Sequence, residues 1–460
     1  MKSFSSVGID AFGFYIPKHF LPIEKLAVKR NIPAEKLTLG LGLLNMAVCE
    51  EHETIDFMAA HSVIDLCENW ESNNGKSFDF NEVDKIYLGT ESSVDSAKPS
   101  ITYAMEHLKN KLSTDLSHID FLDMTFACIG GIDALLLCVD YVRLNPSRKC
   151  IVVVSDNAIY DLETGGEYTQ GAGAMAMLIS YNPAILEINS SVVGVSTAHN
   201  FDFYKPLRSY PKKQVISEIA QKLGCSAEKT LTVLNELNQQ KPAFKDGSLE
   251  GIISSFWNLP EDTIHVHRKQ PVYDGKYSNE CYEERISEAL KRFSLKSETP
   301  ISEFSTWIFH LPYAFQGRRS ASKIWWEHIA KHQPEVIESV NTEIQSLEGS
   351  SDWWKTLAKC SEYKKFVQSH IARTEPLSSQ LGNLYTGSIF MAAVSALISD
   401  DFSSEKPILF LSYGSGSKSK VFAGQPQNTT KERLKHQILH KLKNRTEIAF
   451  ETYELWHKMQ

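Results

Sequence analysis

Cys128 is the first residue in this sequence whose type and setting suit nucleophilic chemistry. It follows a strand-like run, HIDFLDM (118–124), and opens a stretch of helical length, CIGGIDALLLCVDYVRL (128–144), with Gly130 and Gly131 in its first turn. A cysteine at a helix start meets the positive end of the helix dipole and free backbone N–H groups, which favour the nucleophilic thiolate. The two glycines would let a substrate approach the backbone closely. The same position also suits a buried packing cysteine, and position alone leaves both readings open. Cys138 and Cys150 fall inside an apolar helix and a strand and read as core.

Two acid–base groups have comparable settings. Glu91 lies in GTESSVDSAKP (89–99), directly after the strand-like DKIYLG. A carboxylate at the C-terminal end of a strand is well placed for general-base work in an open α/β sheet. His310, in FHLPYAFQGRR (309–319), follows the apolar run STWIFH, at a strand end or turn from which it could partner Cys128. Taken singly, Glu91 also reads as a solvated loop acid and His310 as a structural histidine. The turns GNLYTGS (382–388) and SYGSGS (412–417) carry Asn383, Tyr385 and Ser415. Neither contains a nucleotide-binding signature, and both could aim backbone N–H groups at a developing oxyanion.

The elements that must position these groups alternate along the chain. VDKIYLG (83–89), HIDFLDM and KCIVVVS (149–155) are β-rich runs, separated by the helical stretches 101–112 and 128–144. That order predicts a sheet covered by helices on both faces. A shift of 257 residues lays CIGGI (128–132) on YTGSI (385–389) and, without gaps, IVVVSD (151–156) on ILFLSY (408–413). Two matches in one register predict an internal duplication. Between the halves, about 206–300 reads as less regular, with 214–264 as a helical insertion, and a polar, Trp-rich helical segment covers about 323–372.

Composition narrows the class. With 42% apolar and 23% charged residues the 460-residue chain is of ordinary globular type, and its net charge of −8 argues against a nucleic-acid-binding surface over the whole protein. No apolar run is long enough to cross a bilayer, and the N-terminus reads as a strand rather than a signal peptide, so a cytoplasmic location is expected. The eight cysteines form no CxxC pair, which points to neither a zinc site nor a disulfide framework.

Taken together the motifs resemble the 3-hydroxy-3-methylglutaryl-CoA synthase family from end to end. The matching stretches are GIDAFGFYIP (8–17), GTESSVDSAKP, FACIGG (126–131), SDNAIYDLETGGEYTQGAGAMAML (155–178), FDFYKP (201–206), PVYDGKYSNECY (271–282), FHLPY (309–313), GNLYTGS, SYGSGS and NRTEIAFETYE (444–454). The resemblance implies an α/β fold of thiolase type, five α-β-α-β-α layers from two similar halves (1–180 and 181–460, the second including the insertion 214–264), commonly as a homodimer. It implies Cys128 as nucleophile, Glu91 as general acid/base and His310 as the catalytic histidine. Asp156, Tyr160, Thr169, Asp202, Lys205, Asn383 and Ser415 follow as substrate-binding positions. The implied reaction joins acetyl-CoA to acetoacetyl-CoA in the mevalonate pathway, with CoA thioesters as small-molecule partners and no metal or redox cofactor. A synthase acting on carrier-protein-bound β-ketoacyl groups and a non-catalytic acyl-CoA-binding scaffold are the alternatives. Two departures from the family pattern stand out: about 64 residues separate FDFYKP from PVYDG, and Phe315 occupies a position often held by lysine. Lys205, Arg208, Arg318 and Arg319 are the candidates to hold the CoA phosphates in its place.

Overall fold

The computed structural model describes residues 6–112, 114–239, 263–267, 269–344, 346–427 and 431–459. Nine of the described strands form one sheet: β1 (Val7–Tyr15), β2 (Val83–Gly89), β3 (Asp120–Met124), β4 (Lys149–Ala158), β5 (Gly171–Tyr181), β6 (Leu186–Thr197), β7 (Thr306–Phe309), β8 (Ile408–Gly414) and β9 (Lys418–Pro426). Their spatial order is β7-β8-β9-β6-β1-β5-β4-β2-β3.

This order contains the same pattern twice. In the first half β4 is parallel to β2 and antiparallel to β5, which is antiparallel to β1. In the second half β8 is parallel to β7 and antiparallel to β9, which is antiparallel to β6. The halves join where β1 and β6 pair through Gly8↔Glu187 and Ile9↔Leu186. β4 and β8 thus hold equivalent places, as the 257-residue offset predicts. The helices that precede them, α3 (Gly130–Leu144) and α5 (Ser388–Leu397), are equivalent in the same way.

Layering explains the composition of the strands. Cys150, Val152 and Val154 of β4 share a core with α3, whereas Ile151 and Val153 face the cluster built on α1 (Ile55–Asn74) and α2 (Ile101–Leu112). A strand covered on both faces must be apolar at every position, so it reads as a continuous run rather than an alternating one. Across the second half, α4 (Gly275–Ser294) packs on β6, β9 and β8. The helices α3 and α5 fill the middle: a Cβ on Gly131 would lie 2.5 Å from Val154 Cγ1 and 3.0 Å from the Phe390 ring. A Cβ on Gly130 would overlap the Met124 carbonyl, and one on Gly89 would overlap the Gly131 backbone. The two glycines after Cys128 therefore serve close helix–strand packing. The room that sequence reading offered to a substrate is filled by the protein itself.

The chain divides into a main unit, residues 1–203 and 273–460, and a smaller unit, Tyr204–Val272. The irregular region expected at 206–300 is thereby corrected, because α4 is a regular core helix of the main unit. Within the smaller unit, strands Leu207–Pro211 and Thr263–His267 pair antiparallel and bracket helices Lys212–Leu223 and Ala227–Gln239. Residues 240–262 of the expected insertion lie outside the described residues. Since Pro211 pairs with Thr263, a short turn can join them. A variant with 212–262 replaced by a four-residue turn is expected to fold and to melt within about 5 °C of the full chain, because loop closure changes slowly with length. A thermal unfolding scan checks this, and loss of the cooperative transition would show that the excursion is needed to fold.

Candidate active site

The site is built where β2, β3 and β4 end and α3 begins. Between β3 and α3 the chain turns sharply: Ala127 has φ +42°, in the left-handed region that a side chain disfavours. Cys128 follows, and Ile129 caps α3, so the thiol sits just ahead of the helix rather than within it. Cys128 is 8% exposed, and its thiol donates to Glu91 Oε1 at 2.8 Å. The second half closes on the same segment, for a Cβ on Gly414 would touch the Phe126 carbonyl oxygen at 2.5 Å.

Glu91 is held by Asp156, which is fully buried at the end of β4. Asp156 Oδ1 accepts from the Glu91 N–H, the Thr90 hydroxyl and the Ser92 hydroxyl, each at 2.9 Å. Its Oδ2 accepts from the Thr386 N–H at 3.1 Å and from the Thr386 hydroxyl. One carboxylate thus ties the Glu91 loop to the NLYTGS turn of the other half. These bonds aim Glu91 and join the halves.

Asp202 and Thr169 also spend their described hydrogen bonds on the protein. Asp202 accepts from the Tyr413 phenol at 2.8 Å, the Gly416 N–H at 2.9 Å and the Ser278 hydroxyl at 3.2 Å, fixing the turn that carries Ser415. The Thr169 hydroxyl donates to the Gly166 carbonyl at 2.8 Å, while its own carbonyl accepts from the Asn383 N–H at 2.9 Å. Asn383 is buried, and its side-chain oxygen accepts from the Tyr385 N–H at 2.9 Å and the Ser388 hydroxyl at 3.0 Å.

An aromatic wall adjoins the thiol. Cys128, Ala158, Tyr160 and Tyr385 form one buried cluster, with Phe203 and Tyr273 packed against it. Tyr160 lies 5.4 Å from Tyr273, 6.2 Å from Tyr385 and 6.5 Å from Phe203, centroid to centroid. Burial raises the Tyr160 and Tyr385 phenols above the ordinary tyrosine range, and the nearby Glu91 and Cys128 add to this. Both stay neutral and able to donate. Sequence reasoning assigned no role to Phe203, Tyr273 or Tyr282, although each sits inside a matched motif.

His310 follows β7 and is 2% exposed. Its N–H donates to the Leu411 carbonyl at 3.2 Å, and its carbonyl accepts from the Tyr282 phenol at 2.7 Å. Among the described residues its Nδ1 has no hydrogen-bond partner. Burial pushes the imidazole down to about 3, so it is neutral at physiological pH and can act as a hydrogen-bond donor rather than a cation. The depressed value has a sign for stability. The unfolded chain binds the extra proton first, so this contribution is whole above about pH 6.5 and is lost as pH falls toward 3. Its slope is at most about 1.4 kcal/mol per pH unit. Urea midpoints from pH 7 to 4 should fall less steeply for His310→Gln than for the parent chain. Parallel curves would show that His310 takes up no proton on unfolding.

The remaining candidates separate. Arg318 is taken by Glu375, with Nε donating at 2.7 Å, and stacks over the Phe315 ring at 3.8 Å. It is therefore committed to the protein rather than open to a phosphate. Arg319 is exposed, 5.8 Å from the Tyr313 ring. Lys205 and Arg208 belong to the smaller unit, and the Arg208 side chain lies outside what is described.

A duplicated sheet around a buried helix pair, with a cysteine at a helix start facing a carboxylate, defines a thiolase-like acyl-transfer fold. Residues 4–184 match the family model for the N-terminal part of hydroxymethylglutaryl-coenzyme A synthase, and 265–459 match that for its C-terminal part. The chain belongs to the hydroxymethylglutaryl-coenzyme A synthase family. It is 27% identical to the hydroxymethylglutaryl-CoA synthase of Haloferax volcanii, covering 98% of this chain and 91% of that one. To the Enterococcus faecalis enzyme it is 25% identical, again over 98% and 91%. Among solved structures, MvaS in complex with 3-hydroxy-3-methylglutaryl coenzyme A aligns with a TM-score of 0.73 at 23% identity, covering 99% of this chain and 92% of that one. The HMG synthase of the curacin biosynthetic pathway, in complex with an acetyl donor carrier protein, gives 0.72 at 18%, over 98% and 88%. Among the described residues no helix is long and apolar enough to cross a membrane.

Proposed function

We propose that this chain condenses acetyl-CoA with acetoacetyl-CoA and water to give 3-hydroxy-3-methylglutaryl-CoA and free CoA, through an acetyl-Cys128 intermediate. The observation that carries the reading is the 2.8 Å pairing of the Cys128 thiol with the Glu91 carboxylate at a helix start. Cys128 sulfur attacks the acetyl thioester and expels CoA, the thiol proton passing to the departing CoA sulfur, which splits one difficult step into easier ones. The acetyl methyl carbon is then two bonds from a sulfur that Glu91 already reaches, so Glu91 removes its proton. Backbone N–H groups of Cys128 and Ser415 are assigned to the enolate oxygen. Neutral His310, with Asn383, polarises the C3 carbonyl of the acceptor, and the enolate carbon bonds to C3. Glu91 returns its proton to the new alkoxide. Water then cleaves the Cys128 thioester, one of its protons returning to the Cys128 sulfur and the other leaving to solvent as the product carboxyl ionises. The scheme includes no cofactor.

Tyr160 and the other wall aromatics shield the acyl group from water, while Arg319 is assigned to the CoA phosphates. A free CoA acceptor follows the relatives, which are named as hydroxymethylglutaryl-CoA synthases at 25–27% identity, and a place in the mevalonate pathway, in the cytoplasm, is part of the same proposal. A homodimer is supported by β3, a sheet-edge strand whose Leu122 is 42% exposed. The test incubates purified protein with acetyl-CoA and either acetoacetyl-CoA or acetoacetyl-carrier protein, then identifies the product and compares kcat/KM. Product from the CoA acceptor supports the reading. A strong preference for the carrier overturns the acceptor, and no condensation with either overturns the activity.

A further inference from the structure

Behind the aromatic wall runs a buried polar chain that the mechanism does not use. Both backbone polar groups of Tyr160 are held by it. The Tyr160 N–H donates to Gln170 Oε1 at 2.7 Å, and the Tyr160 carbonyl lies 2.9 Å from His457 Nε2. His457 Nε2 is also 3.1 Å from Gln170 Oε1. Both of its neighbours are acceptors, so Nε2 carries the proton and donates. The Gln170 orientation is set by its other end, where Nε2 donates to the Tyr453 phenol at 2.8 Å. Tyr453 in turn donates to Glu167 Oε1 at 3.1 Å. Glu167 is 1% exposed and is held by Arg30, whose Nε and Nη2 donate at 2.9 and 2.8 Å. Arg30 Nη2 also donates to Glu454 at 2.8 Å. His457, Tyr453 and Glu454 all belong to the C-terminal helix Phe450–Met459. The Tyr160 ring has little freedom of its own, since a Cβ on Gly166 would overlap it.

We infer that His457 and Tyr453 of the C-terminal helix are positioning residues for the acyl site, which set the place of Tyr160, and so of the wall over Cys128, through Gln170. The inference rests on the proposed function, since it assigns the helix a task in that reaction. A helix serving stability alone would need its apolar contacts. It would not need one side chain on the carbonyl of an active-site tyrosine and a second on the glutamine that holds the same tyrosine's N–H. Displacement of a substrate-positioning group by about 1 Å costs on the order of a hundredfold in rate.

The experiment uses the full chain and reads formation of acetyl-Cys128 from acetyl-CoA together with kcat and KM for condensation. His457→Leu keeps bulk and removes the donor, so kcat should fall by about tenfold to a hundredfold with KM for acetyl-CoA changed less than about threefold. His457→Gln, whose amide N–H can reach the same carbonyl, should restore kcat to within about fivefold of the parent. Tyr453→Phe removes one hydroxyl at constant shape and should lower kcat severalfold at an unchanged melting temperature, which serves if His457→Leu does not fold. Parent-like kcat in His457→Leu, or failure of His457→Gln to rescue, overturns the positioning role. If His457→Leu does not fold, parent-like kcat in Tyr453→Phe overturns it. A parent chain that never carries acetyl on Cys128 overturns the underlying function instead, and the inference with it.

Discussion

Cys128→Ala, incubated with acetyl-CoA, carries no acetyl group, and its condensation rate falls by at least about 10⁴-fold, the scale on which an enzyme loses its nucleophile. Alanine has no lone pair with which to attack the thioester, and the neighbouring groups cannot substitute. The other cysteines of the two central elements, Cys138 and Cys150, are fully buried between α3 and β4. The hydrogen bond with Cys150, together with burial, holds the Cys138 thiol well above the ordinary range, so it stays protonated. Cys138→Ala and Cys150→Ala should therefore acetylate as the parent does. Peptide mass mapping locates the group, and an acetyl found on any cysteine other than Cys128 would sink the nucleophile assignment.

Glu91→Ala separates the two halves of the reaction. Acetyl transfer should persist, because removing a carboxylate 2.8 Å from Cys128 sulfur takes away a negative charge that opposes the thiolate. Condensation should fall by about 10²- to 10⁴-fold, since nothing then removes the methyl proton. Glu91→Gln should behave alike, because an amide keeps the shape but cannot accept that proton. The contrast is read by mass spectrometry of the acetyl-enzyme beside product formation. Parent-like condensation in either variant would remove Glu91 from the mechanism. Asp156 should share part of the phenotype, since its carboxylate holds the Glu91 N–H.

Much of this protein is determined by local sequence. Strand β4 is legible because a strand buried on both faces must be apolar throughout, and helix α3 because its small and apolar residues follow a glycine pair. The duplication is legible because equivalent positions in the two halves face equivalent packing, which leaves the same residue types at a constant offset. Cys128, Glu91 and His310 were nameable from their places at element ends and from the order of the motifs around them.

Tertiary structure alone decided what those residues touch. Nothing local says that Asp156 serves Glu91 across strands and Thr386 across halves, because hydrogen-bond partners 65 and 230 residues apart are chosen by packing. The glycines after Cys128 read as space for a substrate until the approach of Met124 and Val154 showed the space to be occupied. Arg318 reads as a free cation until Glu375, 57 residues away, is brought onto it. The neutrality of His310 likewise depends on how much protein surrounds it, a quantity set by long-range burial rather than by its neighbours in the chain. Sequence determines which groups are available, and only the folded contacts determine which of them remain free to meet a substrate, since a buried polar group must spend its hydrogen bonds on whatever the fold places beside it.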